Sequence, residues 1–529
     1  MKARYLLTHA VDHSAEAYPD REALRIGDSG LSYADLATRS NQLAHVLVKE
    51  GVRPGDRVGL YLNKSLESVI SLYGIMKAGG AYVPLDPFAP PTRLSYVLRD
   101  CDVRVLITRP GKAATLAEVL GQAPSVECLI GLPERDGWKT RTISWEDVLQ
   151  APPSAPALGR LTEQDLAYIL YTSGSTGVPK GIMHTHRSGL SFAEWAAETY
   201  DLRPEDRLSN HAPLHFDLST FDVFASHLAG AATVIIPEGV TKFPASLAKL
   251  MEAEKLSVWY SVPFALIQLL QHGNLAGRDL SGLRWVLFAG EPFPTKHLRQ
   301  LMAQLPAARF SNLYGPTETN VCTYFHVPAL ESDEPVPIGR PCANVEDLVV
   351  DGEDRPVAEG EAGELLIRGG VVMKGYWGQP EKTDRAFFRR KAFDPFEDWF
   401  YRTGDLVQRQ ADGDYRYLGR KDRQIKTRGY RVELDEIEVV LLAHAGVEEA
   451  AVYPIPDGQG SHLIEAAAVP KQGVSATQPE LMEHLASRLP PYALPVRIRI
   501  LQDFPRTSTG KIDRRRLQES EVAAHGSLA

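Results

Sequence analysis

Thr172, Ser173, Gly174, Ser175, Thr176, Gly177 and Lys180 crowd hydroxyls, glycines and one ammonium into residues 171–181. Glycines let a backbone approach a ligand closely, and successive N–H groups form an anion-binding nest. Hydroxyl donors and a lysine point charge complete a set suited to a polyphosphate. The stretch is not a Walker A loop, because no Gly-Lys-Ser/Thr ends it and Pro179 stands where that helix would begin. The alternative, a Ser/Gly linker, needs neither a lysine nor the apolar run from Leu166 to Leu170 that leads in. Three further segments carry matching chemistry. Thr317 and Glu318 offer a hydroxyl and a carboxylate suited to phosphate and Mg2+. Asp405 offers a carboxylate suited to a ribose diol, and Lys511 is a lysine beside the flexible Gly510. One such residue alone is ordinarily solvated surface, so it is the set that carries weight.

The elements that must hold these residues alternate between helix and strand patterns. Leu36, Leu43, Ala44, Leu47 and Val48 recur at helical spacing up to Gly51. Residues 58–62 read as a strand, 65–77 as a helix ending at Gly79 and Gly80, and 247–255 as another helix. Residues 233–236, 258–260 and 285–288 read as strands. This alternation predicts an α/β chain with largely parallel sheets, in which ligands bind at the carboxyl ends of strands. The loop at 171–181, the segment 289–291 and the segment 314–318 all fall at such ends, and Asp405 is expected in a loop. After residue 364 short strands follow, and 433–444 reads as a helix before a strand at 449–453. A boundary is placed at Asp422, giving a core over 1–421 and a small α+β domain over 422–529, about a hundred residues.

Composition bounds the rest. A chain of 529 residues predicts roughly three or four structural units. The net charge of −9 argues against general nucleic-acid binding. The densest basic clusters, Arg389-Arg390-Lys391 and Arg514-Arg515-Arg516, read as solvated faces. Cys101, Cys128, Cys322 and Cys342 form no CxxC pair and no metal spacing with histidine. No apolar h-region opens the sequence and no apolar run reaches membrane-spanning length, so a cytoplasmic protein with reduced thiols and no membrane partner is expected.

Taken in order, these segments resemble the adenylate-forming superfamily of acyl-CoA ligases, luciferases and adenylation domains of nonribosomal peptide synthetases. The likeness is greatest to the peptide-synthetase branch. Residues 76–86 match that branch's second core motif, 171–181 its third, 216–219 its fourth and 312–319 its fifth. Residues 401–406 match the seventh, 419–438 the eighth and 510–513 the tenth. The sixth, at 363–365 and 375–377, is loose, and Asp435 stands where the branch usually has glycine. The resemblance implies a large N-terminal domain of α/β layers and a small mobile C-terminal domain hinged at Asp422. It implies ATP and Mg2+, a first step forming an acyl-adenylate, and a second step passing the acyl group to a thiol. By the same likeness, Lys511 bridges the substrate carboxylate and the adenylate. The loop from Thr172 to Gly177 with Lys180 holds the β,γ-phosphates, Thr317 meets the α-phosphate and Glu318 helps hold Mg2+. Tyr314, with Asn312 and Gly315 in its motif, stacks on adenine, and Asp405 binds the ribose with Arg420 nearby.

Asp217, after Phe216, sets the substrate class in this branch by pairing with an α-ammonium, and a fatty-acid ligase has no use for a carboxylate there. The alternative for Asp217 is a helix N-cap. The likeness carries Leu218, Phe221, Tyr260, Leu287, Ala289 with Gly290, Leu313, Val321 and Cys322 into the same pocket. None of these is charged, so the lining rejects charged and amide side chains. As a set it resembles that of free-standing proline-activating enzymes, and L-proline is the expected substrate. Another small apolar amino acid, or an acyl- or aryl-CoA ligase activity, is the alternative. After Lys511 only a short tail follows, without a carrier-domain serine motif. The acceptor is therefore expected to be the phosphopantetheine arm of a separate carrier protein.

Overall fold

A computed structural model describes residues 4–134, 140–174, 177–458, 460–474, 476–506 and 512–518. Ser175, Thr176 and Lys511 lie outside the described residues. Two large sheets dominate the N-terminal part. The first runs Gly375–Tyr376, Lys180–Thr185, Leu166–Thr172, Ala81–Pro84, Arg57–Leu60, Val105–Ile107, Cys128–Ile130, Arg141–Ile143. The second runs Arg340–Pro341, Thr323–Val327, Arg309–Tyr314, Trp285–Ala289, Val258–Ser261, Arg207–Asn210, Ala232–Ile235, Glu22–Ile26, Ser29–Ser32. In both, inner neighbours are parallel and antiparallel pairs sit toward the edges. The inner strands Ala81–Pro84 and Trp285–Ala289 are buried along their whole length, as strands covered on both faces must be.

Helix Leu66–Lys77 shows how the layers join. Ser65 caps it in a reciprocal box with Ser68. Val69, Ile70, Leu72, Tyr73, Ile75 and Met76 are all buried in one cluster with strands of both sheets. A helix that is apolar all round has no solvent face, and this one lies inside the core. Helix Tyr33–Lys49, capped by Ser32 and Asp35, packs on it.

A third, antiparallel sheet carries Val345–Val350, Ala362–Gly369, Phe396–Arg409 and Phe387–Phe393, with Tyr415–Arg420 paired to Phe396–Arg409. Here one expectation is corrected. Asp405 lies within the strand Phe396–Arg409, not in a loop. The pairing with Ala362–Gly369 shifts register between Glu364 and Leu366, so residues 403–405 bulge, and a bulge re-aims side chains without ending the strand. The polyphosphate stretch is likewise the turn of a hairpin, with Thr172 paired to Lys180 across its base.

The C-terminal sheets are smaller. Gln424–Thr427 and Tyr430–Glu433 form a hairpin, while Val447–Pro456, His462–Pro470 and Arg497–Ile500 form a three-stranded sheet. Helices Leu434–Leu442 and Gln478–Ala486 cover the latter around a separate apolar cluster. Among the described residues no helix is long and apolar enough to cross a membrane. The two basic clusters are engaged by acids: Arg390 meets Glu346 and Asp398, and Arg514 meets Glu438.

Candidate active site

The carboxyl ends of three strands converge on one cleft. Leu166–Thr172 delivers the glycine-rich turn, Trp285–Ala289 delivers Gly290 and Glu291, and Arg309–Tyr314 delivers residues 315–318. Two glycines here are steric necessities. A Cβ on Gly174 would lie 2.1 Å from the Val178 carbonyl oxygen, and one on Gly315 would lie 1.7 Å from the Asn320 carbonyl oxygen. Both turns therefore fold only because no side chain is present.

Glu318 is the electrostatic centre, with a fully buried side chain. Lys180 Nζ lies 3.1 Å from Oε1, the Tyr376 hydroxyl donates to Oε1 at 3.0 Å, and Arg431 Nη1 lies 2.6 Å from Oε2. Burial alone would raise the Glu318 carboxyl, but Arg431 and Lys180 outweigh it and hold it well below the usual carboxylate range. Lys180 shows the converse, its ammonium lowered by burial while Glu318 opposes. Both oxygens of Glu318 are thus taken, one of them by a cation from the C-terminal hairpin.

That hairpin fills the cleft elsewhere too. Ser173 Oγ donates to the Arg431 carbonyl at 3.0 Å. A Cβ on Gly177 would lie 2.8 Å from Val439 Cγ1, so helix Leu434–Leu442 rests on the turn itself. Glu291 accepts the Gly429 N–H at 2.8 Å and the Ser461 hydroxyl at 2.9 Å; burial raises its carboxyl, and these donors oppose the rise. Lys426 is within electrostatic reach of Asp217, Glu291 and Asp405. Its ammonium is lowered by burial and by Arg431, while the three carboxylates oppose.

At the other end of the cleft, Asp405 is held by three groups. The Tyr314 hydroxyl donates at 2.6 Å, the Tyr417 hydroxyl at 3.2 Å, and Arg420 Nη1 lies 3.2 Å away. Arg420 also donates to both oxygens of Asp422, at 2.8 and 2.6 Å. Asn312 is turned away from this group and donates to the Pro337 carbonyl at 2.8 Å.

Phe221, Tyr260, Leu287, Ala289, Leu313 and Val321 fall in one buried cluster, with Leu218 packed against it. The Phe221 and Tyr260 rings meet edge to face at 5.2 Å. Cys322 is not brought to this group; it is buried in a second cluster with Ile338, Leu365 and Val407. Adjacent residues at the end of a loop point to opposite sides as the strand Thr323–Val327 begins, which separates Cys322 from Val321. Asp217 occupies the N-cap position of a short helix, yet its side chain makes no capping hydrogen bond. Burial raises its carboxyl, opposed by Lys426 and by a hydrogen bond from Thr317. Phe216 packs edge to face on Tyr430 at 5.2 Å, and Tyr430 stacks on Tyr492 at 4.0 Å. Beside these rings a cleft of about 450 Å³ opens between the two parts of the chain, bounded by Phe88, His215, Tyr430, Leu494 and Val496.

Arg431, Lys426, Glu291 and Tyr376 also belong to the cleft; Lys426 and Arg431 fall in the eighth motif, Tyr376 in the loose sixth and Glu291 at a strand end, but the sequence gives none of them a site role. Asp435, unusual against the branch pattern, forms an ion pair with Arg423, which accounts for its charge.

The chain is similar to known proteins. Residues 11–377 match the AMP-binding enzyme family, and residues 436–511 match the AMP-binding enzyme C-terminal domain. An L-proline--[L-prolyl-carrier protein] ligase of Pseudomonas fluorescens is 37% identical over 96% of this chain and 98% of its own. One of Streptomyces coelicolor is 38% identical over 93% of this chain and 92% of its own. The solved Vibrio cholerae adenylation domain AlmE, in complex with glycyl-adenosine-5'-phosphate, superposes with a TM-score of 0.83 at 25% identity, covering 99% of both chains. With the family model spanning more than half its length and two end-to-end relatives above 30% identity, the chain belongs to the AMP-binding enzyme family.

Proposed function

We propose that this enzyme activates L-proline as prolyl-AMP and passes the prolyl group to the phosphopantetheine thiol of a separate carrier protein. The observation that carries the amino-acid reading is Asp217. It is a carboxylate with no capping duty beside an otherwise apolar, ring-lined cluster. Its charge suits the secondary ammonium of proline, which has two N–H donors, and the lining suits a compact apolar ring. The names of the two relatives support the same substrate and acceptor.

In the first half-reaction a proline carboxylate oxygen attacks the α-phosphorus of ATP. The bond to the bridging oxygen breaks and pyrophosphate leaves. Two anions must meet, so the catalytic task is charge neutralisation. Lys511 is assigned to bridge the carboxylate and the α-phosphate, with Thr317 on the α-phosphate. Thr172 to Gly177 and Lys180 are assigned to the departing pair of phosphates. Tyr314 is assigned to the adenine, and Asp405 and Arg420 to the ribose. Among the described residues no group of three or more His, Cys, Asp or Glu stands ready for a metal. Mg2+ is ordinarily held by one or two carboxylates together with substrate phosphates. Glu318 would hold it, and the ion would neutralise phosphate charge.

In the second half-reaction the carrier thiolate attacks the prolyl carbonyl and AMP leaves. The observed arrangement suits this step and not the first. Arg431 occupies Glu318, and its carbonyl occupies Ser173, so metal and pyrophosphate have no place while the hairpin is docked. The cleft beside Tyr430 gives the pantetheine arm a path between the two parts. The C-terminal domain is assigned to swing about Asp422 between the half-reactions.

Amino-acid-dependent pyrophosphate–ATP exchange tests the proposal. Proline is expected to support the fastest exchange among the proteinogenic amino acids. Fast valine or alanine exchange with proline inactive would overturn the substrate while keeping the chemistry. No exchange with any amino acid, together with turnover of an aryl or fatty acid and coenzyme A, would overturn both.

A further inference from the structure

Helix Pro91–Asp100 touches two working parts of the molecule at once. In its first turn, Thr92 Oγ1 donates to the Ser487 carbonyl at 2.8 Å, and Arg93 Nη1 donates to Glu436 Oε1 at 2.8 Å. Ser487 and Glu436 belong to the C-terminal domain, Glu436 lying on helix Leu434–Leu442. The Arg93–Glu436 pair is largely withdrawn from water, with side chains 11% and 3% exposed. At the far end, Asp100 accepts the Tyr171 hydroxyl, and the Tyr96 hydroxyl donates to the Pro179 carbonyl at 3.3 Å. Tyr171 and Pro179 are the two stems of the phosphate turn. The Trp377 indole fixes the same helix end by donating to the Asp100 carbonyl at 2.8 Å.

A buried ion pair between two surfaces that separate acts on populations. Apart, each charge regains water. Together, each satisfies the other, and removing one leaves the partner buried and uncompensated in the docked arrangement alone. Arg93 also sits at a helix N-terminus, where the macrodipole disfavours a cation, so it depends on a facing carboxylate when dehydrated.

We propose that Arg93 and Glu436 form a latch selective for the docked, acyl-transfer arrangement. It is mounted on the helix that also anchors both stems of the phosphate turn, so one rigid element sets docking and turn position together. The latch rests on the two-step reading above, and its test includes an arm that does not need activity. Arg93→Met and Glu436→Gln are each expected to slow single-turnover transfer from prolyl-adenylate to a phosphopantetheinylated carrier by about tenfold or more, with pyrophosphate exchange within about twofold of wild type. The charge-swapped Arg93→Glu, Glu436→Arg double variant is expected to recover most of the transfer rate. Nitroxide labels on Glu118→Cys and Glu483→Cys read docking directly by electron–electron distance measurement. The short-distance population is expected to shrink in each single variant and return in the swap. An unchanged distance distribution in both single variants would overturn the latch, as would equal losses in exchange and transfer. Loss of the functional reading would appear instead as a wild-type protein without exchange, whatever the distances show.

Discussion

Lys511→Ala is expected to lower proline-dependent adenylation by about 10²–10³-fold, the cost of removing one preorganised donor from a developing charge. Transfer from supplied prolyl-adenylate to the carrier is expected to stay within a few-fold of wild type. The asymmetry follows from charge. Adenylation brings a carboxylate to a phosphate, and Lys511 is the cation assigned to bridge them. In that step Lys180 is assigned to the departing phosphates, and Lys426 and Arg431 leave the cleft with their hairpin. Transfer consumes an adenylate whose attacked carbonyl is already formed, and during it the hairpin 424–433 supplies the cleft's cations. The described residues flanking Lys511 are tied elsewhere. Arg506 pairs with Glu449, and Ile512 and Leu517 pack on the three-stranded sheet. Rapid-quench measurement of the two half-reactions decides the matter, and equal loss in both would contradict the division of labour.

The second large effect concerns Asp217. Asp217→Ala is expected to lower kcat/KM for proline by about 10–100-fold, matching the roughly 1.5–3 kcal/mol of a hydrogen bond to a charged group, with ATP binding unchanged. Its pH dependence has a defined sign. Burial raises the Asp217 carboxyl, and Lys426 and Thr317 only partly offset this. The carboxylate needed for the ammonium is therefore lost, as pH falls, sooner than at an exposed aspartate. The acid limb of kcat/KM for proline is expected above the usual aspartate range, and to vanish in Asp217→Ala. An acid limb that persists in the variant would assign it to another group.

Much of this was legible in the sequence where local pattern and tertiary role agree. Ser65 before an apolar helical run, with Gly79 and Gly80 after it, marks the buried helix Leu66–Lys77 almost to the residue. The strand ending at Ala289 is an apolar run followed by Gly290, and its end carries part of the cleft. Asp405 was misplaced because a glycine-bearing bulge inside a long strand looks locally like a loop. The family likeness carries Cys322 into the pocket with Val321, whereas alternation sends its side chain to a different core. The pairings of Arg431 and Arg93 are not legible in the sequence for a deeper reason. Their partners Glu318 and Glu436 lie 113 and 343 residues away, and depend on how the domains dock rather than on any local period.

The most direct measurement is the intact mass of a phosphopantetheinylated carrier protein after incubation with this enzyme, ATP, Mg2+ and proline. A gain of one prolyl group, dependent on ATP and absent with a carrier lacking the arm, is the predicted result. An unmodified carrier under conditions of rapid proline-dependent pyrophosphate exchange would contradict it.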